Sequence, residues 1–216
     1  MKKFLCAIIT SLSAASAILC ACAGSKIDYT DFISERRYEV YMYADDKISV
    51  KVHVSSREAP YLSDGYKGEM SDMCEIFVKL EDNYNKVDVR LEERGGEMSY
   101  MSVTDSFYIS FSGAPTGDSV PITLTCDGEV LQITAPSVLY SGVISPEEAL
   151  ASAKDYDGDT FEALTNGKNF EGEIYVRLLA DDGKCYYYVG VIDRSGNTSA
   201  YLVDGENGYV IAERKL

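Results

Sequence analysis

Tryptophan is absent from this chain of 216 residues, and histidine occurs once, as His53. A Ser-His-Asp or Cys-His nucleophilic site would have to use that one imidazole, and no G-x-S-x-G turn is present to expose a serine. Catalytic zinc sites usually draw on two or three histidines, so they are disfavoured on the same ground. Cations are scarce as well: 20 Lys and Arg stand against 35 Asp and Glu, a formal charge of −15. Neutralising phosphates needs a basic patch, so nucleic acid is not an expected partner. No C-x-x-C pair occurs, which argues against zinc-ribbon and iron–sulfur centres. What is present is an ordinary globular balance, 46% hydrophobic and 25% charged, enough to build a core.

The longest uncharged stretch lies at the start. Lys2 and Lys3 precede residues 4–23, which carry no charge and are rich in Ala, Ile and Leu. A charged n-region followed by an apolar h-region is the arrangement of a secretory signal, although roughly 20 apolar residues could also span a bilayer. The end of the stretch decides for the signal. Leu19-Cys20-Ala21-Cys22-Ala23-Gly24 places an apolar residue, small residues and a cysteine in order. This run resembles the lipobox of bacterial lipoproteins. The resemblance implies a signal peptide over 1–22, a covalent diacylglycerol or fatty acyl group on Cys22, and an extracytoplasmic protein held to the cell membrane by lipid. Residues 23–36 then read as a tether, whose short polar stretch from Cys22 to Asp31 reaches roughly 30 Å at most at about 3.3–3.6 Å per residue, so the folded part stays close to the membrane. Loss of Lys2 and Lys3 leaves 18 cations against 35 acids, or −17. A body that acidic is repelled by anionic lipid rather than laid upon it.

Cys74, Cys126 and Cys185 remain after Cys6 and Cys20 leave and Cys22 is lipidated. Three cannot pair completely within one chain, and they read as small buried apolar residues.

Between residues 37 and 140 the hydrophobic pattern has period two. Ile48, Val50, Val52 and Val54 alternate with polar residues, as do Cys74, Ile76, Val78 and Leu80, then Val87, Val89 and Leu91. Phe107, Ile109 and Phe111, then Val120, Ile122, Leu124 and Cys126, continue the pattern to 130–134. Turn chemistry separates the runs, for example at Arg94-Gly95-Gly96 and Asp127-Gly128. Seven or so short strands predict an antiparallel β-sandwich of immunoglobulin-like architecture, without the tryptophan or cysteine pair of a true immunoglobulin domain. The remainder, 141–216, changes texture. Ser145-Pro146-Glu147-Glu148 predicts a helix start with a capping box, running to about Lys154. Strands over 173–179, 185–192, 199–203 and 209–212, joined by short acidic turns, predict an antiparallel meander. The whole is therefore expected to be mainly β with a small α+β part.

The helix start, Ile144-Ser145-Pro146-Glu147-Glu148-Ala149-Leu150-Ala151-Ser152-Ala153, together with Tyr201-Leu202-Val203-Asp204-Gly205-Glu206-Asn207-Gly208-Tyr209-Val210-Ile211, resembles a PepSY-type domain. That resemblance covers about 70 residues and implies a non-catalytic module of secreted and membrane-bound bacterial proteins, one suggested to restrain peptidases. It supplies no catalytic residues.

No residue stands out as catalytic. His53 reads as a solvated strand residue beside Lys51 and Ser55. Glu92-Glu93, Asp181-Asp182 and Glu147-Glu148 read as a strand end, a turn and a helix N-terminus. Asp155, Asp157 and Asp159 around Gly158 raise the question of a calcium loop, but the EF-hand order fails, since position twelve from Asp155 is Asn166. The chain has 17 tyrosines. Tyr41 with Tyr43, and Tyr186 to Tyr188, offer rigid contact surface or fill half-exposed strand positions. Tyr61 and Tyr66 lie in a polar loop over 58–72, the expected functional edge. The sequence thus favours a non-catalytic binding or interaction module that restrains or recognises a peptidase or other envelope partner. An extracellular carboxylate-dependent hydrolase and a structural or adhesive envelope protein are the alternatives. The expectation is no metal, no cofactor beyond the acyl group, and no catalytic residue.

Overall fold

The computed structural model describes residues 27–215, so Cys22 and the signal-like segment lie outside the described residues. The protein is mainly β, with 57% of the described residues in strands and 11% in helices, as expected. After a 3-10 turn at Tyr29–Phe32 come β1 (Ile33–Ala44), β2 (Ile48–Glu58), β3 (Met70–Leu80), β4 (Val87–Leu91), β5 (Arg94–Glu97) and β6 (Ser99–Met101). They are followed by β7 (Ser106–Ser112), β8 (Ser119–Cys126) and β9 (Glu129–Pro136). Helices α1 (Pro146–Tyr156) and α2 (Gly158–Ala163) lead to a small hairpin, β10 (Thr165–Asn166) and β11 (Asn169–Phe170). The chain ends in β12 (Gly172–Asp181), β13 (Lys184–Asp193), β14 (Thr198–Asp204) and β15 (Val210–Lys215).

Nine strands form one sheet, ordered β15-β14-β13-β12-β1-β2-β3-β7-β6, and four more form a second, β5-β4-β8-β9. Every pairing in the two sheets is antiparallel except one. β1 runs parallel to β12, with Glu35 beside Tyr175 and Arg37 beside Arg177. That pairing carries the large sheet through the expected boundary at 140/141, because main-chain bonds join a strand from each side of it. Residues 33–36, read from the sequence as tether, belong to β1. Ile33, Ser34 and Glu35 there are almost wholly buried. Their sequence has too little alternation to advertise a strand, and the parallel partner that stabilises them lies about 140 residues away.

Two clusters of buried side chains form the core. Val50, Val52, Val54, Cys74, Ile76 and Val78 of the large sheet share one with Val87, Val89, Leu91, Ile122 and Leu124 of the small sheet. Ala149, Leu150, Ala153 and Phe161 of the helices share the other with Ile174, Val176, Leu178, Tyr187 and Tyr201. The capping box forms as expected: Glu148 N–H donates to Ser145 Oγ at 3.2 Å, and Ser145 N–H donates to Glu148 Oε2 at 2.7 Å. Directly paired residues of neighbouring strands share a face. Arg36 pairs with both Val176 and Ser56, and its guanidinium reaches Glu147 of α1 at 3.1 Å. Ser56 lies on the same face as Val54, so the helices and the small sheet cover one side of the large sheet. The other side carries the 59–69 loop and half-exposed polar and aromatic residues, with Val40, opposite His53 in register, buried at 2% exposed.

Candidate functional site

Strand register assembles a polar and aromatic cluster on that open face. Arg37 of β1 pairs with Ser55 of β2 and with Arg177 of β12; Glu35 pairs with Arg57 and Tyr175. His53 pairs with Glu75, and Phe77 with Tyr108. Arg177 donates to Glu35 Oε2 and to the Tyr61 hydroxyl, and its guanidinium lies 4.7 Å from the Tyr175 ring centroid and 5.7 Å from that of Tyr188. Arg57 donates to Glu75 Oε1 at 3.2 Å and to the Met73 sulfur at 2.8 Å, beneath the Tyr61 ring. Tyr108 adds a second donor to Glu75 at 2.9 Å. Glu35 is only 2% exposed and Glu75 7%, so both carboxylates depend on these partners for their burial.

The 59–69 loop, inside the segment expected to be functional, folds back over this cluster. Besides its bond with Arg177, Tyr61 packs 5.7 Å from Tyr175, and Ser63 shares a hydrogen bond with the Tyr175 hydroxyl. Gly65 has φ +79°, and a Cβ there would come within 2.7 Å of Arg194 N, so only glycine seats the loop on the β13–β14 turn. Its N–H donates to Glu173 Oε1, which also accepts from Tyr175. Glu58 closes the loop from beneath, accepting from Leu62 N–H and Gly68 N–H.

Burial and charge set the electrostatics. Burial pulls the Arg37 guanidinium below its ordinary value; Glu35 opposes this, while Arg177 and Arg57 add to it. Burial acts on Arg177 in the same direction, but the hydrogen bond and charge of Glu35 outweigh it and raise its pKa. Glu35 therefore serves Arg177 first. Arg37 reaches it only at 3.7 Å. His53 is not a solvated strand residue: it is half-buried against Phe77, ring centroids 5.1 Å apart, with Nδ1 buried and unpartnered. Burial first, then Arg37 and Lys51, push its pKa down to about 3. Glu173 is fully buried, and burial pushes its carboxyl up. Six buried side-chain polar atoms lack a partner among the described residues. Five of them, on Arg37, His53, Ser55, Glu173 and Arg177, belong to this face. Such groups are rare in folded proteins, and each calls for an explanation.

The other sequence candidates fall elsewhere. Asp157 is partly buried, which works against its charge, yet bonds from Thr160, Tyr201 and Lys215 bring its pKa down to about 2. It caps α2 while Asp155 pairs with Lys154, so these carboxylates work as cap and surface ion pair. Asp204 accepts from Glu206 N–H and Asn207 N–H in a hairpin turn, and Asp181-Asp182 forms another. Tyr41 and Tyr187 are core residues, donating to Gly117 O and Ile144 O. Cys74, Cys126 and Cys185 are unpaired and buried; burial raises each thiol, that of Cys74 to about 12, which leaves them unreactive. The arginine cluster itself escaped sequence reasoning. Arg37, Arg57, Glu75 and Arg177 each occupy a polar position of an alternating strand, and only register brings them together.

Chemically, the cluster offers guanidinium forks, aromatic faces and an imidazole kept neutral. Its carboxylates Glu35 and Glu75 are each held by arginine, and Glu173 lies beneath the loop. No protein family, curated protein or solved structure matches the chain.

Proposed function

We propose that this protein is a lipid-anchored extracytoplasmic lipoprotein that acts as a non-catalytic binding module. It restrains or recognises a peptidase or other envelope partner through the open face of its large sheet. The observation that carries the reading is the Arg37–Arg57–Arg177 cluster. It is prearranged by three strands, β1, β2 and β12, and framed by Tyr61, Tyr108, Tyr175 and Tyr188, the arginine and tyrosine chemistry that dominates recognition surfaces. Two of the arginines come from the segment before residue 140 and one from the segment after it, so a ligand there reads both at once. The core shared by the two sheets supports a β-sandwich for the first segment. The capped helix on the antiparallel strands supports the PepSY resemblance for the second.

Ile27 packs against the helix cluster, which leaves residues 23–26 between Cys22 and the body, a reach of at most about 17 Å. That holds the body closer to the membrane than a tether running to residue 36 would. No helix among the described residues is long and apolar enough to cross a membrane. Labelling cells with a fatty-acid analogue should mark the wild-type protein and spare Cys22→Ala; equal label on both removes the anchor. The non-catalytic reading is tested by incubating the full chain with peptide and glycan libraries. Turnover that disappears on one Asp or Glu substitution would replace it with the hydrolase.

A further inference from the structure

Charge pairing on the open face leaves one guanidinium over. Three arginines meet two carboxylates, Glu35 and Glu75. Arg177 takes Glu35 and the Tyr61 hydroxyl, and Arg57 takes Glu75 and the Met73 sulfur. Arg37 is left with a single carboxylate oxygen at 3.7 Å, beyond hydrogen-bond reach, and its Nε has no partner. The groups beside it are unsatisfied too. Ser55, directly opposite in register, is fully buried with an unpartnered hydroxyl. His53 follows on the same face of β2.

We propose that Arg37, with His53 beside it, binds the carboxylate of a ligand on this face. The inference rests on the binding reading above and names the group that is bound. Charge selects the class: one anion balances the third guanidinium, whereas a dianionic phosphate would be opposed by Glu35 and Glu75. Geometry selects a planar group, since a carboxylate matches the guanidinium fork through two parallel hydrogen bonds. Lys51, exposed on the same face, adds long-range attraction. The groups facing His53 are Val40, directly opposite, and Arg37 from β1, Lys51 from its own strand, Glu75 and Phe77 from β3, and Tyr108 beyond Phe77. A carboxylate on Arg37 offsets the positive charge felt by the imidazole and moves its titration upward.

Because His53 is the only histidine, its ring is a unique reporter. The full chain in non-ionic detergent, carrying labelled histidine, is titrated by NMR with N-acetylglutamate amide, glucuronate, sulfate and chloride at constant ionic strength. The expected result is a saturable His53 shift with the two carboxylates, with half-saturation at about millimolar concentration for so small a probe. It should be at least tenfold weaker in Arg37→Gln, intermediate in Arg37→Lys and retained in Lys51→Gln. The tighter of the two carboxylates points to an acidic peptide or an acidic glycan as the source. A non-saturating response, an equal response to chloride or sulfate, or undiminished binding in both Arg37 variants overturns the proposal. If Arg37→Gln does not fold, Arg37→Lys carries the comparison. Failure here while the open face still captures a partner overturns only the carboxylate assignment.

Discussion

Acidification should destabilise the protein through His53, by an amount that the structure allows to be worked out. The perturbation is a change from pH 8 to pH 5. In the unfolded chain the imidazole titrates near 6.5, whereas in the folded chain burial, Arg37 and Lys51 hold it down to about 3. Between these values the unfolded state binds a proton that the folded state refuses, so stability falls as pH falls, and the loss levels off below the folded value. At pH 5 the linkage relation gives about 2 kcal/mol, and the figure hardly changes wherever below 4 the folded pKa lies. The assay is chemical denaturation of wild type and His53→Gln at a series of pH values. Subtracting the variant cancels the carboxylates common to both. The wild-type advantage over the variant should shrink by about 2 kcal/mol from pH 8 to pH 5, and the ring should stay neutral by NMR at pH 5. A pH-independent difference, or a ring that protonates near pH 6.5, refutes the reasoning and puts His53 back in solvent.

Further outcomes follow from the same geometry. Arg177→Met strips the almost wholly buried Glu35 of its main partner and should cost about 3–5 kcal/mol in denaturant unfolding. Arg37→Gln should cost much less, because only a 3.7 Å contact is lost; equal costs would mean that Glu35 is shared rather than assigned. Burial raises the Glu173 carboxyl above its ordinary value, so its folded form binds a proton more tightly and stability is lost as pH rises from about 4.5 through that raised value. Glu173→Gln should therefore unfold at higher denaturant than wild type at pH 7, and a lower midpoint would show the charged form to be well paired. Ser145→Ala removes the acceptor for Glu148 N–H and should cost about 1 kcal/mol at pH 7, read from the shift in midpoint.

Local signals were legible in the sequence and long-range ones were not. Alternation located Val50, Val52 and Val54, and Ser145-Pro146-Glu147-Glu148 located the helix start, because period and capping act within a few residues. Nothing local marks Ile33 to Arg36 as a strand, since the parallel pairing with β12 that holds them is made across most of the chain. The candidate site suffers from the same limit. The loop carrying Tyr61 is legible as a long polar loop, but its partners, Arg177 and Glu173, lie more than 100 residues away. His53 was misread because its polar neighbours Lys51 and Ser55 suggest solvent. The ring that covers it, Phe77, comes from the next strand, in the half of the alternation read as polar.

The open face as the recognition surface is tested most directly by site-specific photocrosslinking in the cells that make the protein. A photoreactive side chain at Lys51, exposed on the open face, is compared with one at Val130, 59% exposed on β9. One discrete adduct from position 51, lost when Arg37→Gln is added and absent from position 130, is the predicted result. No adduct from position 51, or the same adducts from both positions, would contradict it.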